Sequence, residues 1–219
     1  MAQRIDDLRA TAERVAASHG LDIVDVELTG SAKFRTLRVF IEKDAQGRAA
    51  LAEQAAKAAE NATNQGGTDE EDAQGDALVL PKGVPVEQLS GVTHEDCVQF
   101  TRDFGTVIEV EDMVAGGEYT LEVSSPGLER KLTRPADYQR FLGGVAKIHT
   151  FTAIGAPGVA SRNFIGRLKD FDGTVVTLDL SALKHKVKKK AGTAAEPPPA
   201  SVQIPLPEIE RAHLVAELD

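Results

Sequence analysis

Apolar and polar residues alternate over Val24-Asp-Val-Glu-Leu28, and Leu37, Val39 and Ile41 repeat the pattern with Arg38 and Phe40 between them. Successive side chains of a strand point to opposite faces, so each run reads as a strand with one apolar face. Such a face has to be covered by another layer. Upstream, Ile5, Leu8, Ala12 and Val15 recur at helical spacing, and Gly20 supplies a stop. Downstream, a helix starting near Thr93 would bury Cys97, Phe100, Phe104, Val107 and Ile108. Tyr119, Leu121 and Val123 then alternate with Thr120 and Glu122 as a third strand. The order predicts an α+β fold: an α-β-β-α-β domain with two helices over one face of a three-stranded sheet.

The second strand and second helix are separated by an acidic stretch. Between Asp44 and Gly91 nine acids face three bases, so this segment carries six of the nine excess negative charges. Its first half is Ala-rich and compatible with a loose helix. Its second half, Asn61-Ala-Thr-Asn-Gln-Gly-Gly-Thr-Asp-Glu-Glu-Asp72, has no apolar periodicity to offset the entropy of ordering. The expectation is a mostly disordered insertion over 45–90.

Past Val123 the pattern changes. Ser125-Pro-Gly-Leu128 is a turn, in which Pro126 presets the first central position and Gly127 can take positive φ at the second. A short helix is expected from Ala136 to Leu142, followed by strands at Val145–Phe151, Phe164–Phe171, Thr174–Leu180 and Val202–Leu206. Asp172-Gly173 is a hairpin signal between two of them, and Ile209 and Leu214 help to close the unit. Several short strands with turn signals predict a small all-β barrel. A basic, Pro-terminated loop, 184–201, interrupts it and is expected to be flexible.

The chain's 219 residues suit one large domain or two small ones, and 42% hydrophobic residues suffice for a core. A net charge of −9 argues against coating naked nucleic acid by bulk electrostatics, and 5% aromatics argue against broad base-stacking platforms. Basic clusters at Arg35/Arg38, Arg130/Lys131/Arg134 and Lys184 to Lys190 still allow a local RNA contact. The single cysteine, Cys97, excludes an intramolecular disulfide and a cysteine metal cage. With no apolar leader and no run of about 18 apolar residues, a monomeric cytoplasmic protein without a membrane span is expected.

No motif demands catalysis. His94-Glu95-Asp96 reads as the first turn of a helix, with Thr93 and Asp96 forming a capping box, because consecutive helical residues cannot all face one ion. Cys97 reads as a small hydrophobe, and His19 as a helix-end residue, where a cation or a hydrogen bond to the last carbonyls is favourable. His149, His185 and His213 lack ligand spacing, and phosphate-loop, dinucleotide and nucleophile-elbow motifs are missing. No catalytic, cofactor or metal residues are expected.

Several segments, taken in order, resemble the bacterial ribosome maturation factor RimP family. Gly20-Leu-Asp-Ile-Val-Asp-Val-Glu27 and Leu37-Arg-Val-Phe-Ile-Glu-Lys43 look like its first two strands, and Gly91-Val-Thr-His-Glu-Asp-Cys97 like the start of its second helix. Gly117-Glu-Tyr-Thr-Leu-Glu-Val-Ser-Ser-Pro-Gly-Leu-Glu-Arg130 is similar to its most characteristic stretch. Gly166-Arg-Leu-Lys-Asp-Phe-Asp-Gly173 and Ile209-Glu-Arg-Ala-His-Leu-Val215 resemble its barrel hairpin and end. Two departures stand out: Glu129-Arg130-Lys131 where the family commonly has Asp-Arg-Pro, and the acidic insertion where it has a short loop.

The resemblance implies an N-terminal α/β domain (1–126), a hinge (127–135) and a C-terminal SH3-like barrel (136–219). It implies no catalytic residue or cofactor. The implied partner is the immature small (30S) ribosomal subunit, through ribosomal RNA and a small-subunit protein near the decoding region. Arg35, Arg38, Arg130, Lys131 and Arg134 are the expected electrostatic contacts, with Ser124, Ser125, Pro126 and Gly127 as a positioning turn. The rival reading is a general single-stranded RNA module with an Sm-like or OB-like barrel. A small enzyme is a third class, lacking any convergent pair of titrating groups in the sequence.

Overall fold

The computed structural model describes residues 2–31, 34–64, 89–114, 118–155, 160–181 and 201–217. The chain divides into two compact units, Met1–Gly127 and Leu128–Asp219.

The first unit opens with α1 (Ala2–Ser18), which Gly20 ends at φ 64°. Strands β1 (Leu21–Gly30) and β2 (Arg35–Lys43) form an antiparallel hairpin. After helices α2 (Ala45–Asn64) and α3 (His94–Val110), strand β3 (Tyr119–Ser124) joins β2 in parallel, so the sheet order is β1-β2-β3. One face of the sheet is apolar. Leu37, Val39 and Ile41 from β2 pack with Leu8, Ala12 and Val15 of α1 and with Phe100, Phe104 and Ile108 of α3. The Phe100 and Phe104 rings stack 5.2 Å apart, and each fully buried side chain contributes roughly 1.5–3 kcal/mol. Cys97 and Val107, expected in this core, are only partly buried at its margin.

Strand β1 departs from simple alternation. A register shift between Ile23 and Asp25 leaves Ile23, Val24, Asp25 and Val26 all buried, and Arg9 of α1 holds the Asp25 carboxylate at 2.8 Å.

The acidic insertion begins as structure. The expectation of disorder over 45–90 is corrected for its Ala-rich half, which is helix α2. Asp44 caps it by accepting from Gly47 N, 2.7 Å away, and the Arg48 guanidinium reaches Asp22, at 3.2 Å, and the buried Glu42, at 3.5 Å. Leu51 packs so closely on Gly91 that a Cβ there would lie 2.0 Å from the Leu51 Cδ1, and Gly91 also has φ 67°. Residues 65–88 of the insertion lie outside the described residues, as do 182–200, which hold most of the loop expected at 184–201.

The second unit contains α4 (Pro135–Arg140) and strands β4 (Val145–Ile154), β5 (Ser161–Phe171), β6 (Val175–Asp179), β7 (Ser201–Pro205) and β8 (Ile209–Leu214). They form an antiparallel sheet in the order β7-β6-β5-β4-β8, so the last strand pairs with the first. Asp172 shapes the β5–β6 turn by accepting from the amides of Thr174 and Val175, both at 2.8 Å. The core gathers Ile148, Leu168, Val176, Leu178, Ile204, Ala212 and Leu214 with Tyr138 and Phe141 of the α4 region. Most of the expected hinge, 127–135, is built into this unit. Leu132 N donates to Ala212 O, Leu214 N donates to Arg130 O, and Leu132 is buried, so the unit starts at Leu128.

Candidate functional site

The residues singled out in the sequence fall in the two units and have different environments. In the first unit, Arg35 is half-buried at the start of β2, and Arg38 is exposed three residues later. Arg38 faces Glu27 on β1 and Glu122 on β3, and its Nε donates to Glu122 at 2.6 Å. That hydrogen bond, with the charges of Glu122 and Glu27, raises the guanidinium's pKa against a smaller effect of burial. The three charges form one ladder across the sheet.

Ser124 ends β3, and Ser125 follows it; both are exposed. Gly127 adopts φ 68°, the positive value expected of it, with open space where a Cβ would lie. Both serines line a groove of about 720 Å³ between α3 and β3, with Cys97, Val98, Arg102 and Leu121 among its walls. The helix beside it begins as expected: Thr93 and Asp96 form a reciprocal capping box. Burial pulls the Asp96 carboxyl up, but hydrogen bonds from Lys43, at 2.8 Å, and Thr93 outweigh it and leave its pKa low. Burial raises the pKa of the Cys97 thiol, with a contribution from Asp96, which disfavours the reactive thiolate. His19 lies 3.0 Å from Asp103 of α3 and so ties the two helices together, rather than bonding the last carbonyls of α1.

Residues 81–129 match the family model of the RimP N-terminal domain. Over this stretch the chain is similar to the RimP N-terminal domain. The match supports the RimP family of ribosome maturation factors, and its described part runs through α3, β3 and the Ser124–Gly127 turn.

In the second unit, the basic run Arg130, Lys131 and Arg134 is divided by the fold. Arg130, expected as a surface contact, is only 2% exposed, and its guanidinium donates to the equally buried Asp137 at 3.2 Å. It also lies 4.9 Å from the Phe141 ring centroid, a cation–π arrangement. Asp137 accepts from the amides of Thr133, at 3.1 Å, and Arg134, at 3.0 Å, and from the Arg134 guanidinium at 3.1 Å. Arg130 and Arg134 thus organise the first turn of α4. Next to them, Tyr138 donates to Leu132 O, and burial, aided by Asp137, pushes its hydroxyl up to about 12. The backbone of Lys131 forms an isolated antiparallel bridge with His213 of β8.

Sequence reasoning missed the residues that surround Lys131. Lys147 lies opposite His213 and Arg211 opposite His149, all on the face away from the core. Their alternation with Ala146, Ile148, Ala212 and Leu214 is legible in the sequence, but the β4–β8 pairing that gathers them is not. Among the described residues, no three His, Cys, Asp or Glu side chains group as metal ligands, and no helix is long and apolar enough to cross a membrane.

Proposed function

We propose that this chain is a cytoplasmic, monomeric ribosome assembly factor that binds the immature small (30S) subunit and promotes its maturation without catalysing a reaction. The observation that carries this reading is the RimP N-terminal match, which ends at residue 129 and includes the Ser124–Gly127 turn. The five-stranded sheet that follows, with its last strand returning beside its first, supports an SH3-like barrel as the second domain. Such a factor acts by differential binding: it favours one conformation of the particle over its competitors. Its contacts are ribosomal RNA and a small-subunit protein near the decoding region. Lys131, Arg35 and the Ser124–Gly127 turn remain contact candidates, whereas Arg130 acts within the fold.

Sedimentation of the purified full chain with separated subunits tests the reading. Co-pelleting with small subunits, and not with large ones, is the expected outcome. Association with large subunits alone, or with neither, would overturn it.

A further inference from the structure

The outward face of the second unit's sheet collects cations. On β4, Lys147 and His149 alternate with the buried Ala146 and Ile148; on β8, Arg211 and His213 alternate with the buried Ala212 and Leu214. Register places Lys147 beside His213, and Lys131 bridges His213 from its other side. Lys131, His213 and Lys147 therefore form one row, spaced about 5 Å apart along the hydrogen-bonding direction, with Arg211 in the next row of β8.

Two acids of the second unit are already engaged with other residues. Glu217 pairs with Arg167 at 2.5 Å, and Glu210 lies 2.8 Å from His149 Nδ1 and 3.5 Å from Arg162. Among the described residues, neither Lys147 nor Arg211 forms an ion pair. Glu129 is the carboxylate that faces His213, against three cations.

We propose that Lys131, Lys147, Arg211 and His213 form a binding site for the phosphate backbone of RNA. Repeating anions suit a row of cations, and the row holds no Phe, Tyr or Trp ring for stacking, so it grips backbone more than it reads bases. The choice of RNA over an acidic peptide rests on the ribosome-assembly reading.

A proton dependence follows. Burial, then the charges of Lys131, Arg211 and Lys147, hold His213 below the ordinary histidine value, while Glu129 pulls the other way. A phosphate placed among these cations favours the imidazolium, so RNA affinity rises as the pH falls through the histidine range.

The test is fluorescence-anisotropy titration of a short RNA hairpin with the full-length protein, at several salt concentrations. Lys147→Glu is expected to weaken binding about tenfold and to lower the salt slope by about one, with Arg211→Glu acting in the same direction. Wild-type affinity is expected to rise from about pH 7.5 to about pH 5.5, and His213→Ala to flatten that rise. Should Lys147→Glu not fold, Lys147→Gln is expected to show a smaller loss. Unchanged affinity in whichever Lys147 variant folds, or tighter binding of polyglutamate than of the hairpin, would overturn the proposal. Wild type that pellets with small subunits but ignores the hairpin overturns this site alone. Hairpin binding without small-subunit association overturns the assembly reading and leaves the site standing.

Discussion

The outward faces of the two sheets handle charge in opposite ways. Across β1, β2 and β3 the row reads Glu27, Arg38, Glu122, with the cation between two acids and one hydrogen bond of 2.6 Å already made. Across the second unit the row reads Lys131, His213, Lys147, with Arg211 beside it. Opposite charges across strands support a sheet. The first row is consumed within the fold. In the second, neither Lys147 nor Arg211 forms an ion pair among the described residues, which suits the proposed RNA contact.

The largest effect is expected where charge is buried. Arg130→Ala removes one partner of an ion pair whose side chains are 1% and 2% exposed, and should cost about 3–5 kcal/mol in chemical denaturation. A loss like that of an ordinary surface substitution would return Arg130 to the set of contact residues. Next comes Lys147→Glu, with its roughly tenfold loss of RNA affinity and little change in melting temperature. Asp96→Asn follows. Asp96 has a depressed folded-state pKa, so its stabilising effect is present above the ordinary carboxylate value and is lost as pH falls through and below it. The Asn variant should be less stable at neutral pH and show a shallower acid limb; an acid limb like wild type's would remove Asp96 from the account. The smallest effect is expected from Arg38→Gln: a slight drop in melting temperature and no change in RNA affinity. A clear loss of RNA affinity there would erase the contrast between the two faces.

Much of the framework could be read locally. The capping box at Thr93 and Asp96, the stop at Gly20, the positive φ at Gly127 and the Asp172 turn each depend on a few adjacent residues, and all appear as expected. Helix α2 was less legible, because its Ala-rich sequence lacks a strong apolar stripe and its first turns are anchored by distant partners, Asp22 and Gly91. The bulge in β1 was not legible either, since alternation through Asp25 suggests an exposed acid, whereas Arg9 compensates a buried one.

The candidate site was legible only by class of residue. Arg130, Lys131 and Arg134 look alike in sequence. Their roles separate only once Asp137 folds back on two of them and β8 lies beside the third. Lys147, Arg211 and His213 escaped notice for the related reason that cross-strand register is a long-range property, set by how the whole sheet closes.

Equilibrium binding of wild type, Lys147→Glu and Arg38→Glu to purified immature small subunits tests the central claim most directly. The account predicts that wild type and Arg38→Glu bind alike and that Lys147→Glu binds more weakly, increasingly so relative to them at low salt. No binding of wild type, or equal losses in both variants, would contradict it.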